Sequence, residues 1–189
     1  MTGKIIIISA PSGCGKSTII NAILKSGDID LRFSVSATSR PPRIGEIHGT
    51  HYYFFTEAQF RQAIADDRFV EYEEVYPGRF YGTLLSEVES ICEAGHNVVL
   101  DIDVKGGINV KRQFGDRACS IFIMPPSVEE LRRRLINRAT DDPEVIEQRV
   151  AKADYEIGFA SNYDHCIVND DLAQAVAETR RVILEFINK

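Results

Sequence analysis

The stretch from Lys4 to Thr18 constrains the fold most, because it requires a buried strand, a turn and a helix in immediate succession. Residues 5–8 are four isoleucines, which is typical of a strand buried on both faces. A loop with two glycines follows, and the apolar spacing after Thr18 predicts a helix. Strand, glycine-rich loop, Gly-Lys-Ser and helix together form the sequence context of a phosphate-binding loop, or P-loop.

The residue types of this loop explain how it would bind phosphate. Gly13 and Gly15 permit backbone angles that other residues resist, so successive amides can surround phosphate oxygens, and the helix N-terminus adds partial positive charge. Lys16 can then reach the β- and γ-phosphates, and the Ser17 hydroxyl can bind Mg²⁺. Ala10 stands where the general pattern has glycine, so the loop departs from that pattern at its first position.

The composition limits the possible partners. A chain of 189 residues with 44% hydrophobic content predicts one domain, or one core with insertions. A net charge of −6 argues against non-specific binding to nucleic acid. The four cysteines lack the paired spacing of a zinc site or a disulfide framework, which favours reduced thiols in a cytoplasm. No signal peptide or membrane-spanning stretch is evident, so we expect a cytoplasmic protein with neither nucleic-acid nor membrane partners.

A second distinctive segment contains two arginines, Arg40 and Arg43, on either side of two prolines. The prolines exclude a helix and keep the segment extended, so we expect both arginine side chains to be displayed. Rigidly displayed guanidinium groups suit a bidentate grip on phosphate, and the alternative is a solvated basic loop.

The surrounding residues 36–83 predict a β-rich insertion in an α/β chain. Short strands are predicted after residue 30 and within the insertion, at residues 31–35, 51–55, 69–75 and 79–82. Between them, Thr56 to Gln59 forms a capping box that begins a helix.

Two carboxylates, Asp101 and Asp103, end a buried strand predicted at residues 97–102. Alternation along a strand places both on one face, at the end where open parallel sheets bind ligands. There they would accept hydrogen bonds from amide and amino groups, or hold Mg²⁺ indirectly. The alternative is that they cap the next helix.

A cluster of arginines lies in two predicted helices separated by a polar break at residues 139–142. Arg134 and Arg138 share a face of the first helix, and Arg149 lies in the second, which begins at Pro143. Such a pair of helices predicts a lid that brings arginines over transferring phosphates. The alternative is a pair of exposed helices with ion pairs such as Glu130–Arg134.

Five segments taken together resemble the guanylate kinase family. They are Ala10 to Thr18, Phe33 to Glu46, the triplet Tyr81 to Thr83, Leu100 to Asp103 and Val168 to Leu172. The resemblance covers nearly the whole chain in the right order. The Ser-Arg-Pro-Pro-Arg block at residues 39–43 is specific to that family, whereas a P-loop alone is not.

The resemblance implies an α/β fold, with a P-loop kinase core whose parallel sheet is flanked by helices. The implied parts are the core at residues 1–35, 84–126 and 160–189, a β-rich GMP-binding subdomain at residues 36–83 and a helical lid at residues 127–159. It also implies reversible transfer of the γ-phosphoryl group of ATP to GMP or dGMP, with Mg²⁺, in purine nucleotide metabolism, by a monomer or homodimer. The alternatives are a P-loop kinase of similar fold acting on a sugar phosphate, and a non-catalytic guanylate-kinase-like binding module.

The resemblance further implies a role for each matching residue. The implied ATP-binding residues are Ala10, Pro11, Ser12, Gly13, Cys14, Gly15, Lys16, Ser17, Thr18, Arg134 and Asn169, with Ser17 as the Mg²⁺ ligand. The implied contacts to the GMP phosphate are Arg40, Arg43, Tyr52 and Tyr81, and those to guanine are Ser36, Glu71, Thr83, Asp101 and Asp103. The implied catalytic residues are Lys16, Arg40, Arg138 and Arg149. A carboxylate such as Glu71 suits guanine, because it can accept from both the N1–H and the N2 amino group, a donor pair that adenine lacks.

Overall fold

The chain contains both helices and strands, and a computed structural model describes it over residues 2–137 and 142–189. Within these residues the strands are β1 (Ile5–Ser9), β2 (Leu31–Phe33), β3 (Ala37–Thr38), β4 (Tyr53–Phe54), β5 (Phe69–Tyr76), β6 (Arg79–Leu84), β7 (Asn97–Asp101), β8 (Ala118–Met124) and β9 (His165–Val168). The helices are α1 (Lys16–Ser26), α2 (Glu57–Ala65), α3 (Leu85–Glu93), α4 (Val104–Phe114), α5 (Val128–Asn137), α6 (Pro143–Ile157) and α7 (Leu172–Ile187).

The chain divides into two compact units. The described residues of Met1–Ile5 and Leu31–Leu100 form the first unit, and those of Ile6–Asp30 and Asp101–Lys189 form the second.

The first unit contains a four-stranded sheet in the order β4-β3-β6-β5. Strands β5 and β6 form an antiparallel hairpin around Pro77 and Gly78, where Gly78 has a φ of 74° that favours glycine. Strand β3 pairs antiparallel with β6 and parallel with β4. In the same unit β2 pairs in parallel with β7, with Leu31 opposite Asn97.

Aromatic packing holds the sheet of the first unit against α2. The ring of Phe60, on α2, is fully buried and stacks on Phe69 and Phe80, with ring centroids 4.3 Å and 5.3 Å apart. Buried Ala37 and Leu84 complete this cluster. Helix α2 begins at the predicted capping box, because the Thr56 hydroxyl accepts from the Gln59 N–H while the Gln59 side chain accepts from the Thr56 N–H.

The second unit contains two buried strands, β1 and β8, and the more exposed strand β9. Strand β1 is buried along its whole length, as its four isoleucines predict, and it neighbours β8. Strand β8 in turn pairs in parallel with β9, with Ile121 opposite His165 and Met124 opposite Val168. Helix α4 packs on β8, helix α7 packs on α1, β8 and β9, and α5 packs on α6. Parallel strands flanked by helices confirm the predicted α/β fold class.

Two predicted strands are shorter than expected. The strand predicted at residues 31–35 ends at Phe33, and the one predicted at residues 51–55 is reduced to Tyr53–Phe54. Next to β4, two histidine side chains accept hydrogen bonds from the backbone: His51 Nδ1 accepts from the Ile47 N–H at 3.0 Å, and His48 Nδ1 accepts from the Phe54 N–H at 3.1 Å. Because β4 is the outermost strand of its sheet, His48 satisfies a donor on its open edge.

Among the residues with a described structure, no helix is both long enough and apolar enough to cross a lipid bilayer. The predicted boundaries of the core, the GMP-binding subdomain and the lid stay predictions.

Candidate functional site

The P-loop connects β1 to α1 and lines a cavity. Gly13 and Gly15 have φ angles of 93° and 86°, which side chains other than glycine rarely adopt, and α1 begins directly after them at Lys16. The cavity has a volume of about 460 Å³ and is lined by residues 10–18 and 101–103, with Lys152 and Glu156. All nine predicted P-loop residues therefore border one cavity at a helix N-terminus, which is a favourable place for an anion.

Lys16 is bound within this cavity by groups at the end of β7. Its Nζ lies 2.5 Å from Asp101 Oδ1 and donates to the Ile102 carbonyl oxygen at 3.1 Å. Both side chains of the ion pair are about one-fifth exposed, so the pair is shielded from water without being sealed from it. The structure thus brings the predicted phosphate-binding lysine together with one predicted guanine contact.

Asp103 has a different environment from Asp101. Strand β7 ends at Asp101, and Asp103 is the N-cap of α4, where its carboxylate accepts from the N–H groups of Lys105 at 2.8 Å and Gly106 at 3.0 Å. The expectation that both carboxylates share one face of a strand is therefore wrong. Strand alternation stops before Asp103, and the alternative of a helix cap is confirmed for this residue.

Asn169 and Arg134, both predicted to bind ATP, contact each other beside the P-loop. The Asn169 side-chain amide donates to the Cys14 carbonyl oxygen at 2.8 Å, and Arg134 Nη1 donates to the Asn169 carbonyl oxygen at 2.8 Å. Arg134 also forms the predicted ion pair with Glu130, at 2.8 Å. A second cavity of about 370 Å³ is lined by Gly13, Gly15, Thr18, Arg134, Asn137, Asn169, Asp170 and Leu172.

In the first unit, Arg40 is bound by Glu46 through two parallel hydrogen bonds. Nη1 and Nη2 donate to the two carboxylate oxygens at 2.9 Å and 2.8 Å, and the same carboxylate accepts from the Arg43 N–H at 2.6 Å. The hydrogen bond from Arg40 holds the pKa of Glu46 down at about 2, and Glu46 in turn raises the pKa of Arg40 against the effect of burial. Both groups therefore stay ionised at neutral pH.

Arg40 also has aromatic neighbours. Its guanidinium carbon lies 5.5 Å from the ring centroid of Tyr52, and the rings of Tyr52 and Tyr81 are 6.0 Å apart. The expectation that both arginines are displayed is wrong for Arg40, which is only 8% exposed because Glu46 and these rings enclose it, whereas Arg43 is exposed. The structure thus brings together three of the four predicted phosphate contacts, Arg40, Tyr52 and Tyr81.

Glu71 and Thr83 face each other on the β5–β6 hairpin. The two residues are directly paired in the ladder, and the Thr83 hydroxyl donates to Glu71 Oε1 at 2.8 Å. Thr83 is buried and Glu71 is half-buried. Ser36, the remaining predicted guanine contact in this unit, is half-buried just before β3.

The comparisons with known proteins agree with one another. A family model described as guanylate kinase matches residues 2–185. The chain is 60% identical over 189 residues to a guanylate kinase of Bacteroides thetaiotaomicron, covering 100% of this chain and 92% of the relative. It is 53% identical over 186 residues to a guanylate kinase of Porphyromonas gingivalis, covering 98% and 99%. The crystal structure of guanylate kinase from Anaplasma phagocytophilum has a TM-score of 0.76 and 31% identity, covering 100% of this chain and 88% of that one.

The chain belongs to the guanylate kinase family.

Membership in the guanylate kinase family confirms the resemblance found in the sequence, and with it the prediction of a phosphotransferase that binds nucleotides. It favours that prediction over a sugar-phosphate kinase and over a non-catalytic binding module. The roles of individual residues stay predictions. Of the predicted lid arginines, Arg149 is half-buried on α6, and Arg138 lies outside the described residues.

Two side chains of the P-loop cavity, Lys152 and Glu156 on α6, were not predicted from the sequence. They lie one helical turn apart, and burial raises the pKa of the Glu156 carboxyl, with the charge of Asp103 adding to the effect. A signal for them existed, because Lys152 follows Arg149 by three residues and so belongs to the same helix face. Glu46 was also missed as a partner of Arg40, although it lies only six residues further along the chain.

Proposed function

We propose that this chain transfers the γ-phosphoryl group of ATP to GMP, with Mg²⁺, giving ADP and GDP. The observation that carries the proposal is the P-loop cavity, in which Lys16 opens α1 beside the ends of β1 and β7. Phosphoryl transfer requires little covalent chemistry from the protein. It depends on positioning the two substrates and on neutralising the charge of the transferred group. The residues that would do this are therefore the basic side chains, the backbone amides and the hydroxyl groups described above.

On the donor side, the P-loop amides and Lys16 would hold the β- and γ-phosphates of ATP. Lys16 would exchange Asp101 for a phosphate oxygen, and its flexible side chain permits such a movement. Arg149, and Arg138 outside the described residues, would neutralise charge on the transferred group. Asn169 and Arg134 line the adjoining cavity, which we assign to the remainder of ATP.

The residues of the P-loop cavity fit Mg²⁺. Ser17 is exposed in the first turn of α1, and Asp101 and Asp103 line the same cavity, so the available ligands are oxygen atoms, as Mg²⁺ prefers. In residues 2–137 and 142–189, no cluster of three or more histidine, cysteine or acidic side chains is suited to a metal ion. We therefore expect Ser17 to be the direct protein ligand, with substrate phosphates and waters as the others. When bound, Mg²⁺ supplies positive charge to the β- and γ-phosphates.

On the acceptor side, Arg40, Arg43, Tyr52 and Tyr81 would bind the phosphate of GMP. Arg40 uses Nη1 and Nη2 for Glu46, and its buried Nε–H has no hydrogen-bond partner within the described residues. A buried donor without a partner is costly, so a phosphate oxygen that accepted from it would be favoured. Glu71, Thr83 and Ser36 would contact guanine, as would Asp101 and Asp103 if the substrate draws them from Lys16 and the α4 cap.

We further propose that residues 36–83 bind GMP or dGMP, that residues 127–159 act as the lid over the core, and that the protein works in the cytoplasm. A monomer or a homodimer stays the prediction for the oligomeric state.

A coupled assay that detects ADP tests the proposed reaction with GMP, AMP, UMP and a sugar phosphate as acceptors, each with ATP and Mg²⁺. We expect turnover with GMP to exceed turnover with the other acceptors by orders of magnitude.

Lys16→Ala should lower kcat by about 10²-fold or more with an unchanged circular dichroism spectrum, because a cation at the transferring phosphates is lost. The matched control is Lys25→Ala, an exposed lysine in the last turn of the same helix. Equal turnover with a second acceptor, or near-normal activity of Lys16→Ala, would contradict the proposal.

A further inference from the structure

Asn169 lies between the end of β9 and the start of α7 and is only 5% exposed. Three groups of Asn169 form hydrogen bonds with other residues. Its backbone N–H donates to the Met124 carbonyl at 2.8 Å, its carbonyl accepts from Arg134 at 2.8 Å, and its side-chain amide donates to the Cys14 carbonyl at 2.8 Å. The last of these bonds joins residues that are 155 positions apart in the sequence.

The bond to Cys14 acts on one peptide group of the P-loop. The Cys14 carbonyl and the Gly15 N–H belong to the same planar trans peptide, so they point in opposite directions. A side chain that holds the carbonyl oxygen therefore also sets the direction of the Gly15 N–H. Gly13 and Gly15 flank Cys14 with φ angles of 93° and 86°, and glycine gives such a peptide more rotational freedom than any other residue would.

The approach of Asn169 to the loop is as close as glycine allows. A Cβ atom on Gly15 would lie 2.4 Å from Asn169 Nδ2, a distance at which one of the two groups must move. Asn169 therefore fills the space beside Gly15 as well as bonding to Cys14.

The position of Asn169 is itself fixed from α5. Arg134 bridges the Glu130 carboxylate and the Asn169 carbonyl, with Nε donating at 2.8 Å to the first and Nη1 at 2.8 Å to the second. Bonded on this side by Arg134 and on the other by Met124, the side chain of Asn169 has little freedom to leave the P-loop.

We propose that Asn169 is a positioning residue for the P-loop: its side-chain amide holds the Cys14–Gly15 peptide so that the Gly15 N–H is directed at the donor phosphates. The resemblance to guanylate kinases implies that this residue binds ATP, and the alternative to positioning the P-loop is a contact with the adenine base alone. The two roles differ in which part of the nucleotide they affect. The proposal rests on the proposed function only in taking the P-loop as the site of the donor phosphates.

The test is the affinity of Asn169→Asp for two ligands with Mg²⁺, ATP and inorganic tripolyphosphate, by calorimetry. Aspartate keeps the shape but replaces the donor with a charged acceptor facing the Cys14 carbonyl. We expect the Kd for both ligands to rise by the same factor, about tenfold or more. Tripolyphosphate contains no base, so its Kd reports on phosphate binding alone. Asn169→Ala, which removes the side chain without adding charge, should raise both dissociation constants together as well.

The control is Asn162→Asp, since the Asn162 side chain also donates to a backbone carbonyl, that of Phe159, but at an exposed position. Its affinities should match those of the unchanged protein, and the Kd for GMP should stay constant in all variants. A loss of ATP affinity with unchanged tripolyphosphate affinity would overturn the proposal in favour of contact with the base. Unchanged affinity for both ligands would overturn it outright. Absence of GMP phosphorylation would count against the proposed function and leave these binding ratios interpretable.

Discussion

Glu71 is the residue on which base selectivity depends most directly in the proposed site. Its carboxylate is half-buried on β5 and accepts a hydrogen bond from the Thr83 hydroxyl. The carboxylate has further acceptor capacity, which matches the N1–H and N2 amino donors of guanine. A side chain that presents a donor at this position would oppose those groups.

Glu71→Gln should therefore weaken GMP binding selectively. We expect the Kd for GMP to rise about 10- to 100-fold, because the charged acceptor is lost and the glutamine NH₂ group would face the N–H donors of guanine. The Kd for ATP should stay unchanged. Calorimetry with each nucleotide alone measures both constants. Glu89→Gln makes the same change of charge at an exposed position in the first unit and should alter neither. A fall in ATP affinity instead would assign Glu71 another role.

At the residue scale, the sequence did not reveal the surroundings of the side chains that it singled out. Arg40 was singled out by the two prolines that follow it, but its enclosure by Glu46 depends on a loop that returns six residues later. Asp103 was expected on a strand and instead caps α4, because the strand ends two residues before it. The spacing of Lys152 and Glu156 shows that they share a helix face with Arg149, but it does not show that this face borders the P-loop, which depends on how the helix packs.

At the scale of elements, the start of α2 is the clearest case of local sequence deciding structure. Thr56 and Gln59 satisfy each other's backbone N–H groups, and α2 then buries Phe60 and Ala63. The first unit depends on this helix, because Phe60 stacks on rings from both β5 and β6.

Thr56→Ala should lower the free energy of unfolding by about 1 kcal/mol, since the N-cap hydroxyl is lost while the buried face of α2 is unchanged. Urea unfolding followed by circular dichroism measures the change. Thr50→Ala, at an exposed turn of the same unit, should stay within about 0.5 kcal/mol of the unchanged protein. Equal stability of the two variants would mean that the cap contributes nothing measurable.

Helix starts and buried strands were predictable because their signals lie within a few residues. The Thr56 box, Pro143 at the start of α6 and the four isoleucines of β1 were all identified from the sequence. The buried face of α7 is less predictable from its apolar residues, because Leu172 is 44% exposed, whereas Thr179 is fully buried and donates to the Ala175 carbonyl. A threonine can be buried in a helix when its hydroxyl donates a hydrogen bond to a carbonyl of the preceding turn, and a hydrophobic pattern does not reveal such a position.

At the scale of the whole molecule, most residues assigned to GMP and the residues assigned to ATP lie in different units. The first unit contains the residues assigned to GMP other than Asp101 and Asp103, and the second contains the residues assigned to ATP. Each unit also contains a carboxylate whose pKa is held at about 2 by arginine, Glu46 by Arg40 and Glu130 by Arg133 and Arg134. Acid should therefore destabilise both units.

The sign of this effect follows from the depressed pKa. The stabilisation from Glu46 and Glu130 is complete above their ordinary pKa of 4.5 and is lost as the pH falls towards 2, because the unfolded chain then binds protons more readily than the folded one. We expect the Tm to fall on acidification in this range, and to fall less steeply in Glu46→Gln and Glu130→Gln. Thermal unfolding from pH 2 to 6 measures it. Parallel curves for all three proteins would show that these ion pairs do not govern acid stability.

In the proposed site, the ion pairs of Lys16 with Asp101 and of Arg40 with Glu46 would make each carboxylate an internal competitor of the substrate. An anion that binds either cation must displace the resident carboxylate or share the cation with it. A singly charged or poorly shaped anion gains too little for that exchange, whereas a nucleotide brings several phosphate oxygens and a base that bind elsewhere at the same time. The protein can therefore keep strongly basic side chains at neutral pH and still resist occupation by the simple anions that surround it.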